Sequence, residues 1–410
     1  MSQRSRIAIL LAVVAGAFMA LPATAAPKPQ SPLPPGVVLP KGMTLPNGTT
    51  VAAYLPESRR KSRFYVQQGG FWAQPGKSLE DSVSATLQGF FGSSFLADLG
   101  DARPYGLLLV LHPELKFDAG QISTVVSYRV YDTGDKLVLE GKQTGAAPMG
   151  DLSNGAGFYR SATKAMQLVL VDVLTKLTPD ATKYAPTGTL GDIDVNLLVN
   201  REQQVASGTG FYINAGGQVL TAAHVIENCV VVDVKRDGAT VPGRVLARSN
   251  LLDVAIIDTG KPVERFLPLR RGQEIVLGEG ITNVGFPLQK VLAASPNLTR
   301  GNISSRGALE GSVGQFQFSA PIQPGSSGGP VVSDGGELLG VTVGTLNAAK
   351  LAETGVLPQN VNFALDARYV AQFLRKNGIA FTEVEPNFKG DMRTANDAAL
   401  ATVLSLSCYQ

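Results

Sequence analysis

The sequence predicts two folded units, a small α+β domain followed by an all-β double barrel. Three observations predict it. Residues 58–180 mix strand-like runs with two stretches of helical periodicity. Residues 195–382 instead give many short apolar runs broken by Gly and Pro, with one helical stretch at their end, consistent with two six-stranded barrels. Pro- and Gly-containing segments, 26–57 and 181–194, set these regions apart. A chain of 410 residues accommodates two to three domains at roughly 150 residues each.

Residues 1–25 read as a secretory signal peptide. Arg4 and Arg6 supply the basic start, and Ile7–Ala20 is an apolar run shorter than the ~20 residues of a comfortable membrane span. Ala23-Thr24-Ala25 then offers a cleavage site, which predicts a periplasmic or secreted protein with no membrane span in its mature chain. Pro27, Pro29, Pro32, Pro34, Pro35, Pro40 and Pro46 make residues 26–57 an extended linker.

In the α+β domain, Phe64–Val66 is a short strand. Ser78 caps a helix running to about Leu99, with Glu80 and Asp81 in its first turn. Tyr105–Leu111, Gln121–Tyr131 and Lys136–Lys142 are strands, the last two joined as a hairpin at Asp132–Asp135. His112 and Pro113 read as the start of a loop. Gly157–Leu177 is a second helix with Phe158, Ala162, Ala165, Met166, Val169, Val173 and Leu174 in helical spacing. Two helices on one face of an antiparallel sheet are expected, as a docking, partner-binding, inhibitory or supporting domain.

The chemistry-bearing residues lie in the second unit. Gln323–Pro330 reads Gln-Pro-Gly-Ser-Ser-Gly-Gly-Pro, a turn able to expose a hydroxyl beside converging backbone N–H groups. The chain has only two histidines, and His224 closes the apolar run Val219–Ala223. Asp253 stands directly before the apolar run Val254–Ile257, where an unpaired carboxylate is costly to bury. Asp233, Asp237 and Asp258 read as solvated turn or hairpin residues.

The order His224, Asp253, Ser327 is that of the chymotrypsin-type triad. The words around it resemble the Deg/HtrA branch of trypsin-like serine proteases: Gly208-Thr209-Gly210-Phe211-Tyr212-Ile213, Thr221-Ala222-Ala223-His224-Val225 and Leu252-Asp253-Val254-Ala255. Asn283–Pro287, Leu298–Ser304 and Val361–Leu365 continue the resemblance. It implies a chymotrypsin-like double β-barrel over 195–382. It also implies a catalytic triad of His224, Asp253 and Ser327 and an oxyanion hole from the N–H groups of Gly325 and Ser327. The family pattern puts the nucleophile directly before Gly-Gly, hence Ser327 rather than Ser326.

The departures from the family are informative. Ser326 stands where zymogen-type relatives place the acid that buries a new N-terminus. Pro321 stands where a Lys/Arg-selective pocket has its acid. Pro321, Ile322, Val341 and Gly344 are the expected pocket wall, suited to a small or medium apolar P1 side chain. The residues after 382 are too few for a PDZ domain and form a tail, 383–410, whose apolar stretch Ala398–Leu406 is expected to dock.

Export makes a bridge between the two cysteines, Cys229 and Cys408, the expectation rather than two buried thiols. Two Cys and two His without ligand spacing give no metal site, and no cofactor is called for. A net charge of +3 gives no reason to expect nucleic-acid binding. The expected function is exported peptide-bond hydrolysis in envelope protein quality control, on protein or peptide substrates. The alternative is a protease-like binding or regulatory module with a latched site. The oligomeric state is not readable.

Overall fold

The structure is a computed structural model that describes residues 48–66, 70–118, 120–150, 152–272, 275–287, 295–308, 312–345 and 360–410. The predicted signal peptide and most of the predicted linker lie outside these residues.

The N-terminal domain is a five-stranded sheet covered by helices. Its strands are β1 (Val51–Tyr54), β4 (Phe95–Ala97), β5 (Leu107–Asp118), β6 (Gln121–Tyr131) and β7 (Leu137–Pro148), in the order β4-β1-β5-β6-β7. A separate hairpin pairs β2 (Phe64–Val66) with β3 (Phe71–Ala73). The helices are α1 (Glu57–Arg60), α2 (Pro75–Phe90) and α3 (Ala156–Leu177). Apolar side chains of α2 and α3, among them Val83, Leu87, Met166, Val169 and Leu170, bury against Leu107, Leu109 and Val130 of the sheet. Truncating one such fully buried leucine costs about 2–5 kcal/mol.

Several expectations are corrected here. Residues 51–54 are not linker: β1 is buried throughout and pairs parallel with both β4 and β5, so the sheet is mixed rather than antiparallel. The first helix starts at Pro75, whose fixed φ and missing N–H suit the first turn, and stops at Phe90 before Gly92-Ser93-Ser94. Residues 181–194 also pack: Leu190 and Ile193, with Leu198, cover Ala52, Tyr54, Leu108 and Val110 on the sheet's second face.

His112 and Pro113 lie within β5, not in a loop. β1 pairs only with Leu107–Val110, and among the described residues no strand pairs β5 on that side beyond this point, an edge position of the kind that tolerates the missing N–H of Pro113. His112 is buried beside Arg129, and burial followed by the Arg129 and Arg59 charges pushes its pKa down to about 3.

The second unit is the predicted double barrel. The first barrel closes in the order β10-β11-β12-β9-β8-β21, from β8 (Gln204–Tyr212), β9 (Gln218–Thr221), β10 (Val231–Arg236), β11 (Ala239–Ser249), β12 (Val254–Asp258) and β21 (Val403–Tyr409). The second closes as β17-β14-β15-β16-β19-β18, because β17 also pairs with β18. Its strands are β14 (Gly280–Gly285), β15 (Asn297–Ser305), β16 (Gln315–Phe318), β17 (Pro330–Ser333), β18 (Leu338–Thr345) and β19 (Asn362–Asp366). Two short strands, β13 (Leu269–Arg270) and β20 (Glu383–Val384), extend it from β18.

Helix α4 (Ala367–Lys376) follows, capped by the Asp366 carboxylate, with Val370, Phe373 and Leu374 buried as expected. The expected boundary at 382 is corrected. The tail runs along the second barrel as β20 and α5 (Met392–Leu400), then enters the first barrel as β21, between β8 and β10. Alternating Leu404 and Leu406, both buried inside the barrel, explain why it docks as a stave. One apolar cluster runs between the barrels, joining Phe211, Leu220 and Ile256 to Val284, Val332, Leu338 and Val341.

Candidate active site

His224 and Asp253 come from the first barrel. Both faces of β9 are apolar, Val219 packing into one core cluster and Leu220 into another, which leaves His224 in the short turn that follows. Asp253 precedes β12 and sits at φ +51°, a left-handed conformation in which a side-chain-bearing residue is strained. That conformation turns both carboxylate oxygens onto one residue. The Nδ1 of His224 lies 2.7 Å from Oδ2, and the His224 backbone N–H donates to Oδ1 at 2.9 Å. The Asp253 side chain is 21 % exposed and the imidazole 46 %. The hydrogen bond that the ring donates to Asp253 raises the His224 pKa above its ordinary value, burial opposing it.

Ser327 comes from the second barrel, on the loop entering β17. Gly328 directly after it has φ +82°, and an added Cβ would lie 2.2 Å from the Thr209 carbonyl oxygen and 2.3 Å from Thr221 Oγ1. Only glycine fits so close an approach. The Thr209 N–H donates to the Ser327 carbonyl at 2.9 Å, seating the loop against β8. A Cβ on Gly208 would touch both Val225, the neighbour of His224, and the Ser327 carbonyl. Gly208 thus lies between the neighbour of His224 and the Ser327 carbonyl, where the two barrels meet.

The choice between the two serines has a physical basis. Ser326 is 4 % exposed and its hydroxyl accepts from the Gln323 N–H. Ser327 is partly exposed, and its hydroxyl donates to the Val343 carbonyl at 3.2 Å. Among the described residues no hydrogen bond joins Ser327 to His224, and the N–H groups of Gly325 and Ser327 donate to no protein acceptor.

The expected pocket wall is corrected in part. Val341 is fully buried in the cluster with Leu338 and Leu365, and Ile322 packs with Phe318 and Ala320, so both belong to the barrel interior. Pro321 is exposed, and among the described residues nothing lies within 4 Å of a Cβ placed on Gly344. Sequence reasoning missed the residues that hold the site together. Thr209 was legible only as part of a motif. Asn283, whose amide donates to the Thr342 hydroxyl and the Pro330 carbonyl, stood in another. Among the described residues, no cluster of three His, Cys, Asp or Glu side chains is placed to hold a metal.

Cys229, five residues after His224, is bonded to Cys408 of β21. The bridge ties the last strand beside the histidine.

A family profile described as the trypsin-like peptidase domain matches residues 208–341, a span that holds His224, Asp253 and Ser327. The chain carries a trypsin-like peptidase domain. Relatives of this peptidase domain include "Uncharacterized protein y4bJ" of Sinorhizobium fredii, 38 % identical over 43 % of this chain and 28 % of that protein. They also include "Putative serine protease HhoB" of Synechocystis, 29 % identical over 48 % of each chain. "Serine protease HTRA1B" of Danio rerio is 28 % identical over 44 % of this chain and 37 % of its own length. The chain thus spans about half or less of the curated relatives it matches. Among solved structures, the serine endoprotease of Yersinia pestis aligns with a TM-score of 0.35 and 24 % identity, covering 42 % of this chain and 58 % of that one.

Proposed function

We propose that the chain is an exported serine endopeptidase that works through an acyl-enzyme. The observation that carries this reading is the double grip of Asp253 on His224, through Nδ1 and the backbone N–H. It fixes the ring orientation and the tautomer that leaves Nε2 free to accept a proton. Ser327 Oγ attacks the scissile carbonyl and its proton passes to His224 Nε2. Asp253 stabilises the imidazolium, and the uncommitted N–H groups of Gly325 and Ser327 receive the oxyanion. His224 then delivers the proton to the leaving amine. Water, deprotonated by the same nitrogen, hydrolyses the acyl ester and restores the Ser327 hydroxyl.

Export is supported by the Cys229–Cys408 bond, of a kind that persists in an oxidising compartment. Envelope protein quality control is the proposed role. With Pro321 where a carboxylate would select Lys or Arg, cleavage after small or medium apolar residues is expected. Peptide-library cleavage dominated by Lys or Arg at P1 contradicts this.

A second reading, a latched binding module, has one observation in its favour. The Ser327 hydroxyl is held by Val343 rather than by His224. A fluorophosphonate probe separates the two. Labelling of the wild type and not of Ser327→Ala is the expected result. Folded wild type that never labels, with or without peptide, supports the module.

A further inference from the structure

We propose that Thr209 is a positioning residue that sets the oxyanion-binding conformation of the serine loop from the opposite barrel. The inference rests on the peptidase reading above and deepens it.

Thr209 is fully buried in β8 of the first barrel. All three of its polar groups are engaged, and two of them, the hydroxyl and the N–H, make three hydrogen bonds to the second barrel. Its hydroxyl donates to the Gly325 carbonyl at 2.7 Å and accepts the Phe286 N–H at 2.9 Å. Its backbone N–H donates to the Ser327 carbonyl at 2.9 Å, and its own carbonyl accepts the Thr221 hydroxyl at 2.7 Å. One residue thus holds the carbonyls of the same two residues whose N–H groups are proposed to bind the oxyanion.

The grip on Gly325 is the informative one. Gly325 sits at φ +103°, where glycine alone moves freely, so its flanking peptides are not fixed by local sterics. The Ser326 N–H donates to the Gln323 carbonyl, which restrains the peptide from the other side only weakly for a glycine pivot. Anchoring the Gly325 carbonyl to a buried hydroxyl fixes the peptide that leaves the pivot. The Ser326 N–H is the other edge of that same plane, so the preceding peptide, which carries the Gly325 N–H, is set against a fixed neighbour rather than a swinging one. That hydroxyl is oriented in turn, because Phe286 N–H occupies its lone pair and leaves its proton for Gly325. The oxyanion donors are therefore aligned by the first barrel, although they belong to the second.

The test compares Thr209→Val, which keeps shape and removes the hydroxyl, with Thr209→Ser, which keeps it. Activity is read on a chromogenic peptide substrate, with kcat and KM separated and the pH profile recorded. Loss of a preorganised donor lowers kcat by about 100–1000-fold. Partial misalignment is expected to give about 10–100-fold in Thr209→Val, with KM within about twofold, the His224 pH midpoint unmoved and Thr209→Ser near wild type. If Thr209→Val does not fold, Thr209→Ala against Thr209→Ser carries the same comparison. Wild-type kcat in Thr209→Val, or a loss that Thr209→Ser fails to restore, overturns the inference and leaves the peptidase reading standing. A wild type that neither turns over substrate nor labels removes both.

Discussion

The two barrels of the peptidase domain are closed in different ways. The second closes on strands that lie between residues 280 and 366, through the β17–β18 pairing. It is locked at one end by a buried ion cluster: Arg270, 2 % exposed, reaches Glu337, 1 % exposed, and Glu279. The first barrel borrows its sixth strand from residues 403–409 and fastens it with the Cys229–Cys408 bond. The serine half of the site rests on local pairing and buried charge. The His224–Asp253 half rests on a distant segment and a covalent staple. Similar architecture is thus reached with very different sensitivities.

The largest effect should come from ending the chain after Thr402. This removes every β21 pairing and leaves β8 and β10 as open edges. The expected outcome is loss of cooperative unfolding and of probe labelling, read by circular dichroism and fluorophosphonate. Retained wild-type labelling would show that the borrowed strand is ornamental to the first barrel.

Next is Arg270→Met, which strands the Glu337 and Glu279 carboxylates. Removing one partner of a buried ion pair costs about 3–5 kcal/mol. Urea midpoints report it, and reductant should leave the size of this loss unchanged. Close behind is Cys408→Ser, for which a cross-link of this kind predicts a loss of about 2–4 kcal/mol. Reductant should reproduce that loss in the wild type and add nothing to the variant. Equal redox sensitivity of both substitutions would erase the contrast between the barrels.

The smallest effects are those of pH. The second barrel has no histidine, so titration near neutrality acts on the first barrel through His224 and on the N-terminal domain through His112. Asp253 raises the His224 pKa, and catalysis needs the neutral ring. Activity should therefore fall as pH drops through that raised value, and Asp253→Asn should move the midpoint down toward about 6.5. For stability the signs are opposite. The His224 contribution is complete below about 6.5 and lost as pH rises through its raised pKa. His112 is held neutral by burial and Arg129, so its contribution is present above about 6.5 and lost as pH falls toward about 3. Unfolding midpoints across pH 4–8 in wild type and His112→Gln check this, and a flat wild-type profile contradicts it.

The sequence made the site legible because each part is a contiguous word. The turns holding His224, Asp253 and Ser327 announce themselves locally, and with only two cysteines the bridge had a single possible pairing. The paired strands Gln121–Tyr131 and the helix to Leu177 were legible from period and turn residues. What failed was long-range. β1 is four residues buried on both faces, so Val51–Tyr54 has no alternation to set it apart from the segment before it. β21 carries a good strand pattern, but nothing in residues 403–409 says which barrel lacks a stave. Val341 shows the same limit, since a position aligned with a pocket wall points inward once its strand twists into the barrel.

The borrowed stave also imposes a schedule. A polypeptide is made from its N-terminus, so Phe211 emerges long before its partner Val403. Throughout that interval the first barrel is an unclosed sheet in which β8 and β10 each lack their β21 partner. The order of synthesis thereby delays closure of the first barrel until Val403–Tyr409 has been made, and oxidation of Cys229 with Cys408 marks the end of that delay.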